Sequence, residues 1–497
     1  MEQNVSKNLE PAVFSGEPLF SDVIVAPATS PGGALSIVRL SGKGAVDIAD
    51  ALWHAARPLS EARSHTAHFG LLVDGGEVLD ECVATVFRAP RTFTGEDIVE
   101  FSCHASGWIM RRLLALLVEK GARMAHPGEF SQRAFLNGRM DLAEAEGIAD
   151  LIASQSRSAH RIAMSQMRGG FSKVLARLTD RLIHFASMLE LELDFSEEEV
   201  EFADRGELLA LAREIKDYID RLADSYGTGK VIKEGIPVAI AGIPNAGKST
   251  LLNLLLGDDK AIVSDIAGTT RDIIEDTLTL DGVLYRFIDT AGLRDTTDTV
   301  EGLGIERAVG AAGKASIVIR IFDATQPLAQ QLQTFNNYLS ADKPADGPSA
   351  EETSSAKSMP VYIDILNKTD LGSADAADGT LSAGEPPGNS SGMLPFSAKT
   401  GKGLDRLEER LKEVSRSMID EAGGEDGVLV TNLRHYDSLR SASASLQRTI
   451  AALRDGISAD LVAQDIRLAT TALGEITGKI TSDTILHNIF ENFCIGK

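Results

Sequence analysis

The residues that announce chemistry first are Gly242-Ile243-Pro244-Asn245-Ala246-Gly247-Lys248-Ser249, an octet of the form G-x-x-x-x-G-K-S. Glycines at its two ends let backbone N–H groups wrap a phosphate chain. Lys248 brings positive charge toward the β- and γ-phosphates, and the Ser249 hydroxyl is a ligand for Mg²⁺. The octet follows the apolar run VAIAG and precedes LLNLLL, the strand-then-helix setting that such a loop requires. Asn245, Ala246, Gly247, Lys248, Ser249 and Thr250 are therefore the candidate phosphate-loop contacts.

Three further clusters stand in the order a nucleotide switch needs. Asp289-Thr290-Ala291-Gly292 begins 42 residues after Gly247 and ends a second strand-like run. An aspartate there positions the metal and the glycine N–H senses the γ-phosphate. Asn367-Lys368-Thr369-Asp370 ends a later run. Asp370 can accept from N1–H and the 2-amino group of guanine, donors that adenine lacks, so the motif selects GTP over ATP. Ser397-Ala398-Lys399 follows as the usual base-contacting loop. Between the first two clusters, Gly268-Thr269-Thr270-Arg271-Asp272 occupies the place of a first switch, with Thr270 as the second hydroxyl for Mg²⁺. Leu293 stands where Ras-like enzymes carry the water-orienting glutamine, so another group must do that work. The candidates are a bound cation and the carboxylates Asp295, Asp298 and Glu301, and composition does not choose among them.

These clusters need strands to carry them. VAIAG (238–242), YRFIDTAG (285–292), SIVIRIFDAT (316–325) and VYIDILNKTD (361–370) read as strands, and helical runs alternate with them. The pattern predicts a Ras-like, doubly wound P-loop GTPase domain over 230–415. Segments 340–359 and 373–392 are rich in Ser, Ala, Asp, Gly and Pro and read as insertions. Residues 1–20 read as a disordered extension. Residues 21–140 form an α+β domain: DVIVAPA, ALSIVRLSG, AHFGLLV, ECVATVFRAP and DIVEFSC are short strand-like runs, and Gly107–Ala122 has helical spacing. Residues 141–229 and 416–497 are helical, with Leu178, Leu182, Phe185 and Leu189 at three-to-four spacing. The nucleotide domain is thus inserted into an all-α domain, and the chain is a multidomain α/β protein. Asp194–Glu199 is an acidic run that reads as a solvated helix end or loop.

The net charge of -23 opposes a whole-protein nucleic-acid clamp, so RNA contact requires a local basic patch or a basic partner. The chain has 3 cysteines, Cys82, Cys103 and Cys494, with no C-x-x-C pair. That argues against a disulfide framework or a cysteine zinc site and fits a reducing compartment. No apolar run reaches the ~18 residues of a membrane span. The polar beginning MEQNVSKNLE is not a signal peptide, and Gly496 spoils a prenylation reading of the CIGK ending. A cytoplasmic location is expected.

Taken together, the chain resembles the MnmE (TrmE) family of tRNA-modification GTPases. GIPNAGKSTLLN, DIAGTTRD, DTAGLR and GIERA resemble its GTPase core. TGEDIVEFSCH (94–104), PGEFSQRAFLNGRMDLAEAEGIADLI (127–152), LDFSEEE (193–199) and the terminal CIGK resemble its more specific N-terminal, helical and C-terminal motifs. The resemblance runs from about Asp22 to Lys497. It implies an N-terminal domain that forms a homodimer and binds 5-formyltetrahydrofolate or a related folate. Arg39, Glu96, Arg139 and Lys497 fall at the folate-contact positions, with Arg139 where lysine is common. It also implies that G domains pair through a K⁺ ion held by Asn245, Ser264, the Ile266 carbonyl and Thr269, with Ser264 in place of the commoner threonine. The ion would act where an arginine finger acts elsewhere. Glu301 matches the family's catalytic glutamate and would orient the attacking water. The family works with the FAD-containing partner MnmG (GidA) on carbon 5 of the tRNA wobble uridine, adding an aminomethyl-type group. Cys494 is either a buried thiol near the folate or a participant in chemistry. The competing classes are a ribosome-assembly GTPase, which lacks a reason for the folate-type segments, and a signalling GTPase, which binds a partner without modifying RNA.

Overall fold

The computed structural model describes residues 21–30, 32–194, 205–260, 276–288, 314–341, 360–371, 392–422, 428–480, 483–491, 493 and 496. Chain contacts divide it into two units. One comprises Met1–Ala149, Gln166–Ala203 and Gly456–Lys497; the other comprises Asp150–Ser165 and Asp204–Asp455.

The first unit is built on a seven-stranded sheet: β1 (Val23–Pro27), β2 (Leu35–Ser41), β3 (Trp53–His54), β4 (Thr66–Asp74), β5 (Glu77–Phe87), β6 (Ile98–His104) and β7 (Ala122–Met124), in the order β3-β4-β5-β6-β2-β1-β7. Pairings are antiparallel except β1 with β7. Side chains alternate between faces. Val38, Leu40, Cys82, Ala84, Val86, Val99, Phe101 and Cys103 point to one face, where Leu113, Leu116 and Leu117 of the helix Gly107–Glu119 cover them. That helix begins where Ser106 accepts from Trp108 N–H, as an N-cap should. The opposite face leaves a row open. Phe69 stands beside Val83, Val83 beside Ser102 and Ser102 beside Ile37. Phe69 is 69% exposed and nearby Leu35 is 63% exposed. The long helix Gly170–Asp194 packs against Ala459–Thr477 in the same unit.

The second unit holds a six-stranded sheet: β8 (Ile236–Gly242), β9 (Asp276–Leu280), β10 (Val283–Phe287), β11 (Ile317–Asp323), β12 (Val361–Asn367) and β13 (Leu394–Pro395), in the order β13-β12-β11-β8-β10-β9. All neighbours are parallel except β9 with β10. β8 and β11 are buried along their whole length, the signature of strands covered on both faces. Asp281 and Gly282 join β9 to β10 with φ of 50° and 76°, the two positive values that a tight D-G hairpin turn demands. Ser158 grips that turn, since its N–H and its Oγ both donate to the Gly282 carbonyl, at 3.1 and 3.0 Å. The helices Arg205–Asp224 and Leu433–Arg454 pack together in this unit. The mixed α/β architecture with a parallel, P-loop-bearing sheet is the one the motif order predicts. Among the described residues no helix is long and apolar enough to cross a membrane. The expected extension at 1–20, most of the acidic run and nearly all of both insertions lie outside the described residues.

Candidate nucleotide and folate sites

Three loops converge at the carboxyl ends of β8, β12 and β13, the edge where parallel α/β sheets bind ligands. The phosphate loop leaves β8 at Gly242 and turns through Asn245 at φ 58° and Gly247 at φ 102° before the helix starting at Lys248. Its amides therefore gather at a helix N-terminus, the favoured seat of an anion. Lys248 Nζ donates to the carbonyls of Gly242 and Ile243 at 2.8 and 3.0 Å. Burial pushes its ammonium below the ordinary 10.5. A half-buried cation whose bonds among the described residues end on neutral carbonyls is one that a phosphate would complete. Ser249 is half-buried and Thr250 exposed on the first helical turn.

Asn367 ties the loops to one another. It is 3% exposed, and its Nδ2 donates to the Ala246 carbonyl at 2.7 Å. Its Oδ1 accepts from Ala398 N–H at 2.8 Å. One carboxamide thus joins the phosphate loop to the Ser397–Lys399 loop. Gly247 must be glycine for the same reason, because a Cβ there would collide with Asn367 Nδ2. Lys368 sits at φ 65° and its Nζ donates to Asp323 Oδ2 at 2.7 Å. Thr369 Oγ1 donates to the Phe396 carbonyl at 2.8 Å. Asp370 is exposed, and its Oδ1 accepts from buried Ser397 Oγ at 2.7 Å, which ties the carboxylate to the Ser397–Lys399 loop. Lys399 is exposed on the same loop.

The structure therefore brings together Ala246, Gly247, Lys248, Asn367, Lys368, Asp370, Ser397 and Ala398. Ser264, Ile266, Thr269, Thr270, Asp289, Gly292 and Glu301 lie outside the described residues, and so do Cys494 and Lys497. Asp323 escaped the motif reading. Its signal was its place as the last residue of SIVIRIFD, at the ligand end of a central parallel strand.

The folate-type positions fall in the first unit. Arg39 on β2 donates through Nε to Glu100 Oε1 at 2.7 Å and through Nη1 to the Gly496 carbonyl at 3.0 Å. Its guanidinium lies 6.0 Å from the Phe93 ring centre and 5.7 Å from that of Phe130. Gly496 has φ 93°, and a Cβ on it would collide with the Pro27 carbonyl, so Gly496 lies directly on the end of β1. Arg139 is exposed and donates to the Thr92 carbonyl at 3.1 Å. Glu96 is buried: Oε2 accepts from Ser41 Oγ at 2.8 Å, and Arg133 Nη1 reaches its Oε1 at 3.3 Å. Arg133 is fully buried and also donates to Asp22 and Glu129. An arginine over two phenyl rings beside a backbone carbonyl fits a ligand that is both anionic and aromatic. Cys82 and Cys103 are free and buried, and burial pushes their thiols up to about 12 and about 11.

Residues 23–139 match the model of the GTP-binding protein TrmE N-terminus, and residues 142–494 match that of the MnmE helical domain. The tRNA modification GTPase MnmE of Cytophaga hutchinsonii is 47% identical over 478 residues, covering 96% of this chain and 98% of that one. The protein of the same name from Bacteroides fragilis is 46% identical over 480 residues, covering 96% and 99%. That of Flavobacterium johnsoniae is 44% identical over 481 residues, covering 96% and 99%. The phosphate loop, the base loop and the match along nearly the whole length of these relatives agree, and the chain belongs to the MnmE (TrmE) family of tRNA modification GTPases.

Proposed function

We propose that this chain is a K⁺-dependent GTPase that works with the FAD-dependent partner MnmG to modify carbon 5 of the tRNA wobble uridine. The observation that carries the nucleotide half is the Asn367 carboxamide, which joins the phosphate loop to the base loop. Lys248 and the loop amides would hold the phosphates. Ser249 and Thr270 would hold Mg²⁺, and Asp370 would read guanine. Asn245, Ser264, the Ile266 carbonyl and Thr269 would hold K⁺. Bound there, the ion supplies positive charge to the phosphates. Glu301 would orient the attacking water where Leu293 cannot.

The other half rests on the first unit. Arg39, Glu96, Arg139 and Lys497 would hold a folate one-carbon donor, and the Arg39, Phe93 and Phe130 cluster supports that reading. The open row around Leu35, Phe69 and Val83 supports homodimer formation through residues 21–140. The acidic charge of -23 agrees with a partner that supplies most of the tRNA-facing basic surface. Residues 141–229 and 416–497 would form one helical domain around a G domain at 230–415, in a cytoplasmic protein.

The test is GTP turnover in K⁺ against Na⁺, with GDP and aluminium fluoride added in parallel to look for G-domain pairing. Strong K⁺ selectivity with ion-dependent pairing is expected. Equal turnover in the two salts would remove the K⁺ assignment and leave a GTPase activated in some other way.

A further inference from the structure

The ligand end of β11 carries a charge to which the nucleotide motifs give no role. Asp323 is 1% exposed. Its Oδ1 accepts from Thr325 N–H at 2.9 Å and from Thr325 Oγ1 at 2.6 Å. Its main chain is clamped as well. Asp323 N–H donates to Gln331 Oε1 at 2.9 Å, and Gln331 Nε2 donates back to the Asp323 carbonyl at 2.9 Å. Gln331 is itself 3% exposed, on the helix Leu328–Ala341. The carboxylate is therefore fixed by neutral donors, and Oδ2 is left to receive Lys368 Nζ at 2.7 Å. Burial alone would raise this carboxyl; the hydrogen bonds from Lys368 and Thr325 outweigh it and hold the group below the ordinary carboxylate range.

A lysine side chain is a flexible four-carbon stem, and holding it still costs rotamer entropy. Here the ammonium ends on a buried anion while 29% of the lysine side chain remains accessible. That accessible surface lies in the loop that also carries Asn367 and Asp370. We propose that Asp323 is a positioning residue for guanine-nucleotide binding: it anchors Lys368 so that the stem stands preorganised beside the base before the nucleotide arrives. Preorganisation of this kind lowers the ordering cost that binding would otherwise carry. The inference rests on the guanine-nucleotide reading given above. A merely structural ion pair would stabilise the fold without coupling to the nucleotide.

The test is equilibrium titration of the full chain with fluorescent mant-GDP, for wild type, Asp323→Asn, Lys368→Met and the double variant. KM and kcat for GTP are measured alongside. Asp323→Asn is expected to weaken binding about tenfold or more, with the loss falling on KM more than on kcat. The double variant should bind within about twofold of Lys368→Met alone, because each single change breaks the same link. Wild-type affinity in Asp323→Asn, or losses that multiply in the double variant, would overturn the proposal. Thr325→Val decides the matter if Asp323→Asn melts out by circular dichroism. It keeps the carboxylate and the backbone donor and removes one hydroxyl. A loss of about two- to fivefold is expected, and unchanged affinity would overturn the link. Wild type that fails to bind mant-GDP would remove the guanine reading and this link with it, whereas tight wild-type binding matched by both variants would remove the link alone.

Discussion

The two candidate ligand regions join their separate segments by different means. The nucleotide loops are joined by a neutral carboxamide, Asn367, with one hydrogen bond to the phosphate loop and one to the Ser397–Lys399 loop. The folate-type region is joined by full charges. Arg133, with no exposure, bridges Asp22, Glu96 and Glu129, and Arg123 adds a second cation on Asp22 and Glu129. A buried amide costs far less to desolvate than a charge, and its two hydrogen bonds offset that cost while fixing geometry. A buried guanidinium among carboxylates is tolerable only while every partner stays in place. The nucleotide region should therefore fail locally, by loss of affinity, and the charged region globally, by loss of fold.

Arg133→Met tests the second half of that contrast and carries the largest expected effect. It leaves Glu96 and Glu129 buried without their shared cation, a cost of about 3–5 kcal/mol. Both tryptophans, Trp53 and Trp108, lie in the first unit, so intrinsic fluorescence during urea unfolding reads that unit. A midpoint matching wild type would show that the network is not what holds the unit together. The same network sets an acid limit. Burial raises Asp22 and Glu129, but their arginine partners overcome it and hold both carboxyls below the ordinary 3.8 and 4.5. A depressed carboxyl contributes stability that is full above its unfolded value and lost as pH falls through its folded value. Fluorescence-monitored stability should thus decline below about pH 4 and decline less steeply in Arg133→Met.

Gly247→Ala tests the first half. The added Cβ meets Asn367 Nδ2 at a backbone φ of 102°, so the loop must move or the amide bridge must break. Nucleotide affinity should fall about 100-fold, equivalent to about 2.7 kcal/mol, while the tryptophan-reported transition stays where it was. A shift of that transition comparable to the one in Arg133→Met would erase the contrast between local and global failure.

How much of this was readable beforehand follows the same division. The octet at 242–249, Asn367–Asp370 and Ser397–Lys399 are contiguous motifs, and their order alone placed them at strand ends. The strands that carry them were legible because β8 and β11 are unbroken apolar runs. The links were not legible. Asn367 reaches Ala246 across 121 residues, and Asp323 meets Lys368 across 45. No periodicity records which polar side chain at one strand end will face a loop from another. Arg133 shows the limit most clearly. On the sequence it is one cation in FSQRAFLNGR, and only the packing of β1 and the loop before β6 around its helix turns it into the hub of a buried cluster. Glu96 was legible only by resemblance, and its bonds to Ser41 and Arg133 mean that any ligand contact it makes is shared with that cluster.

Gly496→Ala probes a contact intermediate between the two kinds. Gly496 meets β1 backbone to backbone, with Arg39 donating to the Gly496 carbonyl. An added Cβ at φ 93° collides with the Pro27 carbonyl, and strain of about 1–3 kcal/mol should be relieved by release of the tail. The first unit should keep its urea midpoint, and affinity for 5-formyltetrahydrofolate, read by calorimetry, should drop about tenfold. Unaltered folate affinity would separate the chain end from the Arg39 cluster as a functional matter.

The smallest expected effect lies at the β9–β10 hairpin. In sequence β9 begins shortly after Thr269 and Thr270 and β10 ends shortly before Asp289, so the β9–β10 turn lies at the strand ends away from all three. Ser158 holds that turn with two donors on one carbonyl, and Arg157 packs so that a Cβ on Gly282 would lie 2.7 Å from its own Cβ. Ser158→Ala removes the hydroxyl and leaves the backbone N–H in place, so the loss should be below about 1 kcal/mol. Mant-GDP affinity should stay within about twofold of wild type. A larger loss of affinity would mean that the hydroxyl, rather than the amide, carries the tie, and that the nucleotide loops depend on an anchor at the far end of the strands feeding them. The nucleotide region would then share the all-or-none character of the charged cluster instead of opposing it.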